Sequence, residues 1–401
     1  MRQITPPGSE HDEREIEAVV DVLKNSRLQI GPKVEEFESK VAALMSKKYG
    51  VMVNSGTSAI YLALDLLDLE PGDEIVTSVL TFSADIAPIV RGGWVPAFVD
   101  VEPSSYQIDV NRIEEMIGPR TKAIMTPNLV GNCPDWDAIR EIADRHGLCV
   151  IEDTCDVLGE VTLRGTRTGT RADIGVTSFA VTHSITAAGA GGMVGLDDPA
   201  LLDRCLVKRR WGRRSETYLF GSNRGKPDRF SATVDGLAYD NIFVFEDARV
   251  FNFEPSELGA AFGLVQLEKL DEFNRRRRDC FARYDEWFLE RDDLFIRPTT
   301  TPGVETTWML YPFMLRPERR RSRTECQEFL EKRGVPTRVV WSGNITRQPG
   351  FSAIERREPD DGFPNADRVM EYALMLPAHQ GMNEDDLDYV IEVLDEFADQ
   401  A

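Results

Sequence analysis

YGVMVNSGTSAIYLALDLL, residues 49–67, passes from a short apolar run through a polar turn into a stretch whose apolar positions recur at helical spacing. It reads as a strand, a turn and a helix over 57–67. The change of period repeats downstream. DEIVTS (73–78), WVPAFVDV (94–101), TKAIMTP (121–127), LCVIED (148–153) and ADIGVTSF (172–179) are strand candidates, and a helical pattern covers about 135–146. Strands alternating with helices at this spacing predict an α/β domain around a mainly parallel sheet.

Toward the amino terminus, 13–27 and 33–48 have helical spacing on either side of a turn-like stretch at 28–32. In the other direction, 256–289 forms one long helical pattern, expected to be broken or bent, with its charged middle in solvent. It reads as the connector into a second domain. Strand candidates at 306–316 and 336–341 and helices at 324–333 and 384–399 predict a modest α+β unit. The expected division is a large domain with its amino-terminal segment over 1–270 and a small domain over 271–401.

A chain of 401 residues, 42% of them hydrophobic, is long enough to bury one large core and a smaller one. Its net charge of −21 makes nucleic acid a poor partner, while leaving room for local phosphate pockets. No apolar run approaches the roughly 18 residues of a membrane span, and no basic segment leads an apolar one at the start, so a soluble cytoplasmic protein is expected. The six cysteines are scattered with no CxxC pair. They predict reduced, mostly buried thiols, and neither a zinc site nor a locally held iron–sulfur cluster.

Three strand ends carry chemistry. In Asn54-Ser55-Gly56-Thr57-Ser58, free backbone N–H groups, hydroxyls and a helix dipole converge on a spot suited to a phosphate, although a plain Ser/Thr helix cap reads the same way. In CVIED (149–153), Asp153 arrives at the carboxyl edge of the sheet, where ligands bind in such folds. It either caps a turn or, if the ligand is pyridoxal phosphate, keeps the ring nitrogen protonated. VTSF (176–179) delivers Ser178, a second phosphate donor, into AVTHSITAAGAGGM (180–193), whose glycines permit a close approach to a ligand.

In this order, these pieces resemble the DegT/DnrJ/EryC1/StrS sugar aminotransferase family. The likeness extends over LQIGPKVEEFE (28–38), NSGTSAIYLAL (54–64), PGDEIVTSVLTFSA (71–84), VDVEPSSYQID (99–109), IEDTCDVLGE (151–160), SFAVTHSITAAGAGGMV (178–194) and VFNFEPSELGAAFGLVQLEKL (250–270). The resemblance implies a fold-type I, aminotransferase-like enzyme using pyridoxal or pyridoxamine 5′-phosphate. It implies that Thr57 and Ser178 hold the phosphate with Gly56 in the same turn, that Phe82 stacks on the ring, and that Asp153 pairs with the ring nitrogen. Asn252 corresponds to a residue contributed to the phosphate from the opposite subunit, which implies a homodimer with shared sites.

One departure is informative. Between Lys122 and Lys208 there is no lysine, and the family's Schiff-base position holds His183. An imidazole moves protons near neutral pH but cannot make the lysine's covalent link. The substitution is similar to that in the 3-dehydratases of nucleotide-linked 4-keto-6-deoxyhexoses, and Asp156, where ordinary members usually carry glutamine, resembles the same branch. That likeness implies C3 deoxygenation of a nucleotide-diphosphate keto sugar with His183 as acid and base, and glutamate as amino donor. Cluster-bearing members need closely spaced thiolates after the histidine segment. The stretch 209–230 has none, so a cluster-free enzyme is expected, although SGNITRQP (342–349) looks more like the cluster-bearing members. An aminotransferase lacking the lysine, or a silent paralogue that binds and stabilises a partner enzyme, are the alternatives. Arg209, Arg210, Arg213, Arg214, Arg224 and Lys226 read either as a solvated loop or as a diphosphate clamp. His11, His146 and His379 stand in no motif.

Overall fold

A computed structural model describes residues 2–159, 161–226, 230–318 and 321–400. Glu160 and residues 227–229, which fall in two of the stretches quoted above, lie outside the described residues. Seven strands, β1 (Tyr49–Val53), β2 (Glu74–Ser78), β3 (Val95–Val99), β4 (Thr121–Pro127), β5 (Cys149–Asp153), β6 (Ile174–Ser178) and β7 (Gly192–Leu196), form one sheet in the order β1-β7-β6-β5-β4-β2-β3. Pairing is parallel from β3 through β6; β7 runs antiparallel to both β6 and β1. Helices cover both faces, so β2, β3, β6 and β7 are buried throughout, and the parallel strands among them read as short, mostly apolar runs. The carboxyl ends of β1, β5 and β6 consequently share one edge, which carries Asn54, Asp153 and Ser178.

Several large-domain elements were not legible, among them the helix Pro199–Arg209 and the two that shape the site edge. GMVGL reads as part of a glycine turn yet forms β7. Its glycines are there for neighbours: a Cβ on Gly192 would lie 2.3 Å from the Ser55 carbonyl oxygen, and one on Gly195 would lie 2.9 Å from Lys47 Cγ. The helix Ser83–Arg91 carries Pro88 in its interior, which hides it from a propensity reading.

The expected break in the long carboxyl-terminal helix does not occur. Glu257–Leu289 is continuous over 33 residues and joins two cores. Ala260, Leu264, Leu270 and Phe273 pack with Phe37 and Val41 of the helix Pro32–Leu44, whereas Cys280, Tyr284, Trp287 and Phe288 belong to a second core with Phe313, Leu374 and Leu394. The 270/271 division thus falls inside one rigid element. Its charged middle is not all solvated either, because Arg277 is buried between exposed Arg276 and Arg278.

The second core rests on an antiparallel sheet of Phe295–Ile296, Tyr311–Leu315 and Ala373–Leu376, flanked by the helices Arg323–Glu331 and Glu384–Ala398. Residues 336–341, expected as a strand, make a single bridge from Arg338 to Met375, whereas ALML at 373–376, not expected as a strand, pairs with 311–314. Val340, Ile345, Phe363 and Val369 instead join the large-domain core, which carries the neighbouring Trp341 to the sheet edge. Among the described residues, no helix is long and apolar enough to cross a membrane.

Candidate active site

At the end of β1, Ser55 adopts an extended conformation and caps the helix Gly56–Asp65, its Oγ accepting from the Ser58 amide at 3.1 Å. The cap and phosphate readings are compatible. Capping uses Ser55 and Ser58, whereas the Gly56 and Thr57 amides, in the first turn, have no intrahelical acceptor. Gly56 is packed directly on β6: a Cβ there would stand 2.7 Å from Ser178 Cβ and 3.3 Å from Cys155 Sγ. A helix N-terminus and two hydroxyls therefore meet at one end of a cavity of about 290 Å³, lined by Gly56, Thr57 and Ser178.

The remainder of that cavity is walled by Phe82, Asp153, Asp156 and His183, together with Asp85 and Trp341. Phe82 is 57% exposed and offers its ring to the opening, 6.2 Å from Trp341 in an edge-to-face arrangement. Asp153 is buried, and its Oδ1 accepts from the Cys155 amide at 2.8 Å. Burial drives its carboxyl upward, against the hydrogen bonds from Cys155. Asp156 Oδ2 accepts from the Val130 amide at 2.8 Å and from Trp341 Nε1 at 3.0 Å, yet burial still pushes its pKa up to about 7.

His183 sits in the turn after β6, its amide bonded to the Ala180 carbonyl at 3.1 Å. Thr186 braces that turn, donating to the Phe179 carbonyl at 2.9 Å and accepting from the Gly189 amide at 2.8 Å. Arg277 Nη2 reaches the His183 carbonyl at 3.2 Å. Imidazole Nδ1 is buried with no hydrogen-bond partner among the described residues and lies 3.9 Å from Asp156 Oδ1, too far for a hydrogen bond. Burial, reinforced by the Arg277 cation, lowers its pKa to about 4, so the ring is neutral at neutral pH. No lysine or arginine is among the residues lining the cavity. Lys208, the first lysine after His183, is held elsewhere by Asp65 at 2.5 Å and Asp247 at 2.7 Å.

Asn252 is the predicted site residue that does not line this cavity. It is exposed, its amide nitrogen 3.0 Å from Glu254 Oε2, and its backbone bridges Arg210. The basic stretch is largely committed to the fold. Arg209 is buried on Glu38 at 2.8 Å, Arg210 pairs with Glu216 and Glu254, Arg214 with Glu246, and Arg224 with Glu35. In this chain the buried Arg209 and half-buried Arg210 serve the fold, whereas the pairs of Arg214 and Arg224 are solvent-exposed and the diphosphate reading of this stretch stands as an open alternative. Of the remaining histidines, His146 meets Glu114, His379 meets the Thr5 carbonyl, and His11 packs by Phe262. Sequence reasoning missed Asp85, Trp341 and Arg277.

The DegT/DnrJ/EryC1/StrS aminotransferase family model matches residues 9–395. A dTDP-4-dehydro-2,6-dideoxy-D-glucose 3-dehydratase of Saccharopolyspora spinosa is 34% identical over 405 aligned positions, covering 98% of this chain and 86% of that protein. The structure of E. coli GDP-4-keto-6-deoxy-D-mannose-3-dehydratase with bound hydrated PLP superimposes with a TM-score of 0.86 at 26% identity, over 98% of this chain and all of the other. A His→Asn variant of GDP-4-keto-6-deoxymannose-3-dehydratase with bound GDP-perosamine gives 0.84 at 26% identity, over 97% of this chain and 100% of that one.

Proposed function

The chain belongs to the DegT/DnrJ/EryC1/StrS aminotransferase family, and from that premise we propose that it is a pyridoxamine-phosphate-dependent 3-dehydratase of a nucleotide-linked 4-keto-6-deoxyhexose, working without an iron–sulfur cluster, with His183 as acid and base. The observation that carries this reading is that His183 is the basic side chain of a cavity otherwise walled by hydroxyls, carboxyls and apolar groups.

The residues fit the cofactor. The helix N-terminus at Gly56 and Thr57, with Ser178, suits its phosphate; Asp153 suits its ring nitrogen; Phe82 suits its ring face. Gly56 is required at the phosphate end because a Cβ would collide with Ser178. When bound, the cofactor supplies an electron-poor ring that accepts negative charge from the adjoining carbon. The protein supplies the proton traffic. Neutral His183 accepts a proton at the cavity wall, and Asp156, 3.9 Å from Nδ1, is placed to stabilise the resulting cation when its carboxyl is ionised. The same group then returns a proton to the departing C3 hydroxyl. Its lack of a covalent role leaves it free throughout the cycle.

A second cavity of about 560 Å³ adjoins the first through Phe82, Thr182 and Trp341, with Arg338, Gln348 and Phe351 on its far wall. That volume suits a nucleotide sugar. Glutamate is the proposed amino donor, and a homodimer is proposed in which Asn252 reaches the partner's cofactor. The cluster-free assignment is supported by the thiols, since Cys205, Cys133, Cys280 and Cys326 are dispersed among three separate cores.

The test is the mass of the product after incubation with pyridoxamine phosphate, glutamate and nucleotide-linked 4-keto-6-deoxyhexoses. Loss of the C3 hydroxyl is expected. Gain of an amine with the hydroxyl retained would make the protein an aminotransferase, and no spectral change with several sugars would make it a binding protein.

A further inference from the structure

Asp85 is the group in the cavity wall that the proposed chemistry leaves unused. It belongs to the first turn of the helix Ser83–Arg91, directly after Phe82, and is 2% exposed. Its Oδ2 accepts from the Thr81 hydroxyl. Its Oδ1 is buried and meets no N–H or O–H donor among the described residues. The group within hydrogen-bonding reach is another carboxyl, that of Asp153, and both line the same cavity. An acid in a first helical turn is ordinarily ionised and stabilised by the helix dipole. Here no lysine or arginine lines the cavity to neutralise a second anion, and the other titratable groups of the same wall are the Asp156 carboxyl, the Cys155 thiol and the neutral His183 imidazole.

Two carboxylates in contact cannot both stay ionised out of water, whereas one proton shared between them satisfies both. Asp153 also receives the Cys155 amide, so it is the better-solvated anion of the two. Resting on the cofactor assignment above, we propose that Asp85 is a positioning residue for the ring: it keeps its proton and donates it to Asp153, so that the pair presents a single negative charge to the ring nitrogen. Burial and the facing Asp153 both raise the Asp85 carboxyl well above its ordinary value, in the direction this requires. One ring N–H and one Asp85 O–H then converge on Asp153, and one positive charge meets one negative.

The test uses the full-length protein with pyridoxamine phosphate labelled with 15N in the ring. Binding is followed by cofactor fluorescence, and ring protonation by the 15N shift as a function of pH. Because Asp85 is neutral, Asp85→Asn replaces one uncharged donor by another and should leave the ring's titration within a few tenths of a pH unit of wild type. Asp85→Ala removes the donor and should weaken binding by about tenfold, the cost of one hydrogen bond to a charged group. If Asp85 is instead an anion, Asp85→Asn removes a negative charge and lowers the ring's titration by about a unit or more, which overturns the proposal. Unchanged binding in Asp85→Ala also overturns it. Failure of the wild-type protein to bind pyridoxamine phosphate would sink the functional reading itself.

Discussion

Replacing Gly56 by alanine puts a methyl group 2.7 Å from Ser178 Cβ, 3.0 Å from Ser178 Oγ and 3.3 Å from Cys155 Sγ. Carbon atoms pack best at about 3.5–4.0 Å, so the overlap is close to an ångström or more. Neither side can retreat easily. Ser178 ends a central strand paired to Gly192, and Gly192 is itself pressed against the Ser55 carbonyl. Overpacking of this kind costs about 1–3 kcal/mol, of which alanine's better helix propensity returns about 1 at most. The larger effect falls on the cofactor, because relief of the clash separates the helix's first turn from Ser178 and misplaces donors on both sides of the phosphate. Losing one charge-assisted hydrogen bond, about 1.5–3 kcal/mol, corresponds to roughly 10- to 100-fold in affinity. Titration of apoprotein with pyridoxamine phosphate measures that, thermal unfolding measures the stability, and Gly8→Ala, whose Cβ has nothing nearer than 3.8 Å, is the control. A folded Gly56→Ala protein with wild-type affinity would show that the phosphate does not sit between this helix and Ser178.

Borohydride reduction of the pyridoxal phosphate form followed by peptide mapping should give no pyridoxyl-lysine at the site; an adduct on Lys208 would contradict the role given to His183. In a homodimer with shared sites, Asn252→Ala and Asp153→Ala subunits, each weak alone, should regain part of their activity when mixed, and no rescue under verified exchange would remove Asn252 from the partner's site. The apoprotein's pH profile follows from Asp156, whose folded pKa of about 7 lies above its ordinary 3.8 because of burial. Below 3.8 both states are protonated and the cost is nil; from there to about 7 the unfolded chain ionises first, so stability falls by about 1.4 kcal/mol per pH unit. Asp156→Asn removes that slope and should gain on wild type by up to about 4 kcal/mol between pH 4 and pH 7 in urea unfolding. Parallel profiles would mean that the carboxyl is ionised in the fold.

The parallel strands were legible because burial on both faces makes them short, mostly apolar runs, and the site edge followed from where those runs end. β7 was not, since its glycines answer to Ser55 and Lys47, residues remote in sequence. The partner strand at 373–376 and the delivery of Trp341 are likewise products of long-range packing. Arg277 left a usable signal: Phe273, Cys280 and Tyr284 lie on one helical face, and the fourth-residue spacing from Phe273 puts Arg277 there too, although RRRR reads as a solvated run. Asp85 left none, because an acid in a first helical turn is ordinary. Gly56, Thr57, Phe82, Asp153, Asp156, Ser178 and His183 converge on one cavity because each ends a strand, lies in the turn after one, or opens the helix that follows.

The most direct test of the account is single-turnover dehydration of a nucleotide-linked 4-keto-6-deoxyhexose by His183→Asn loaded with pyridoxamine phosphate. Asparagine preserves the approximate size and polarity but holds no proton-accepting nitrogen near neutral pH. Cofactor and sugar should bind within a few-fold of wild type, while C3 deoxygenation slows by about two to four powers of ten. Deoxygenation at a near wild-type rate by the asparagine variant would contradict His183 as the acid and base.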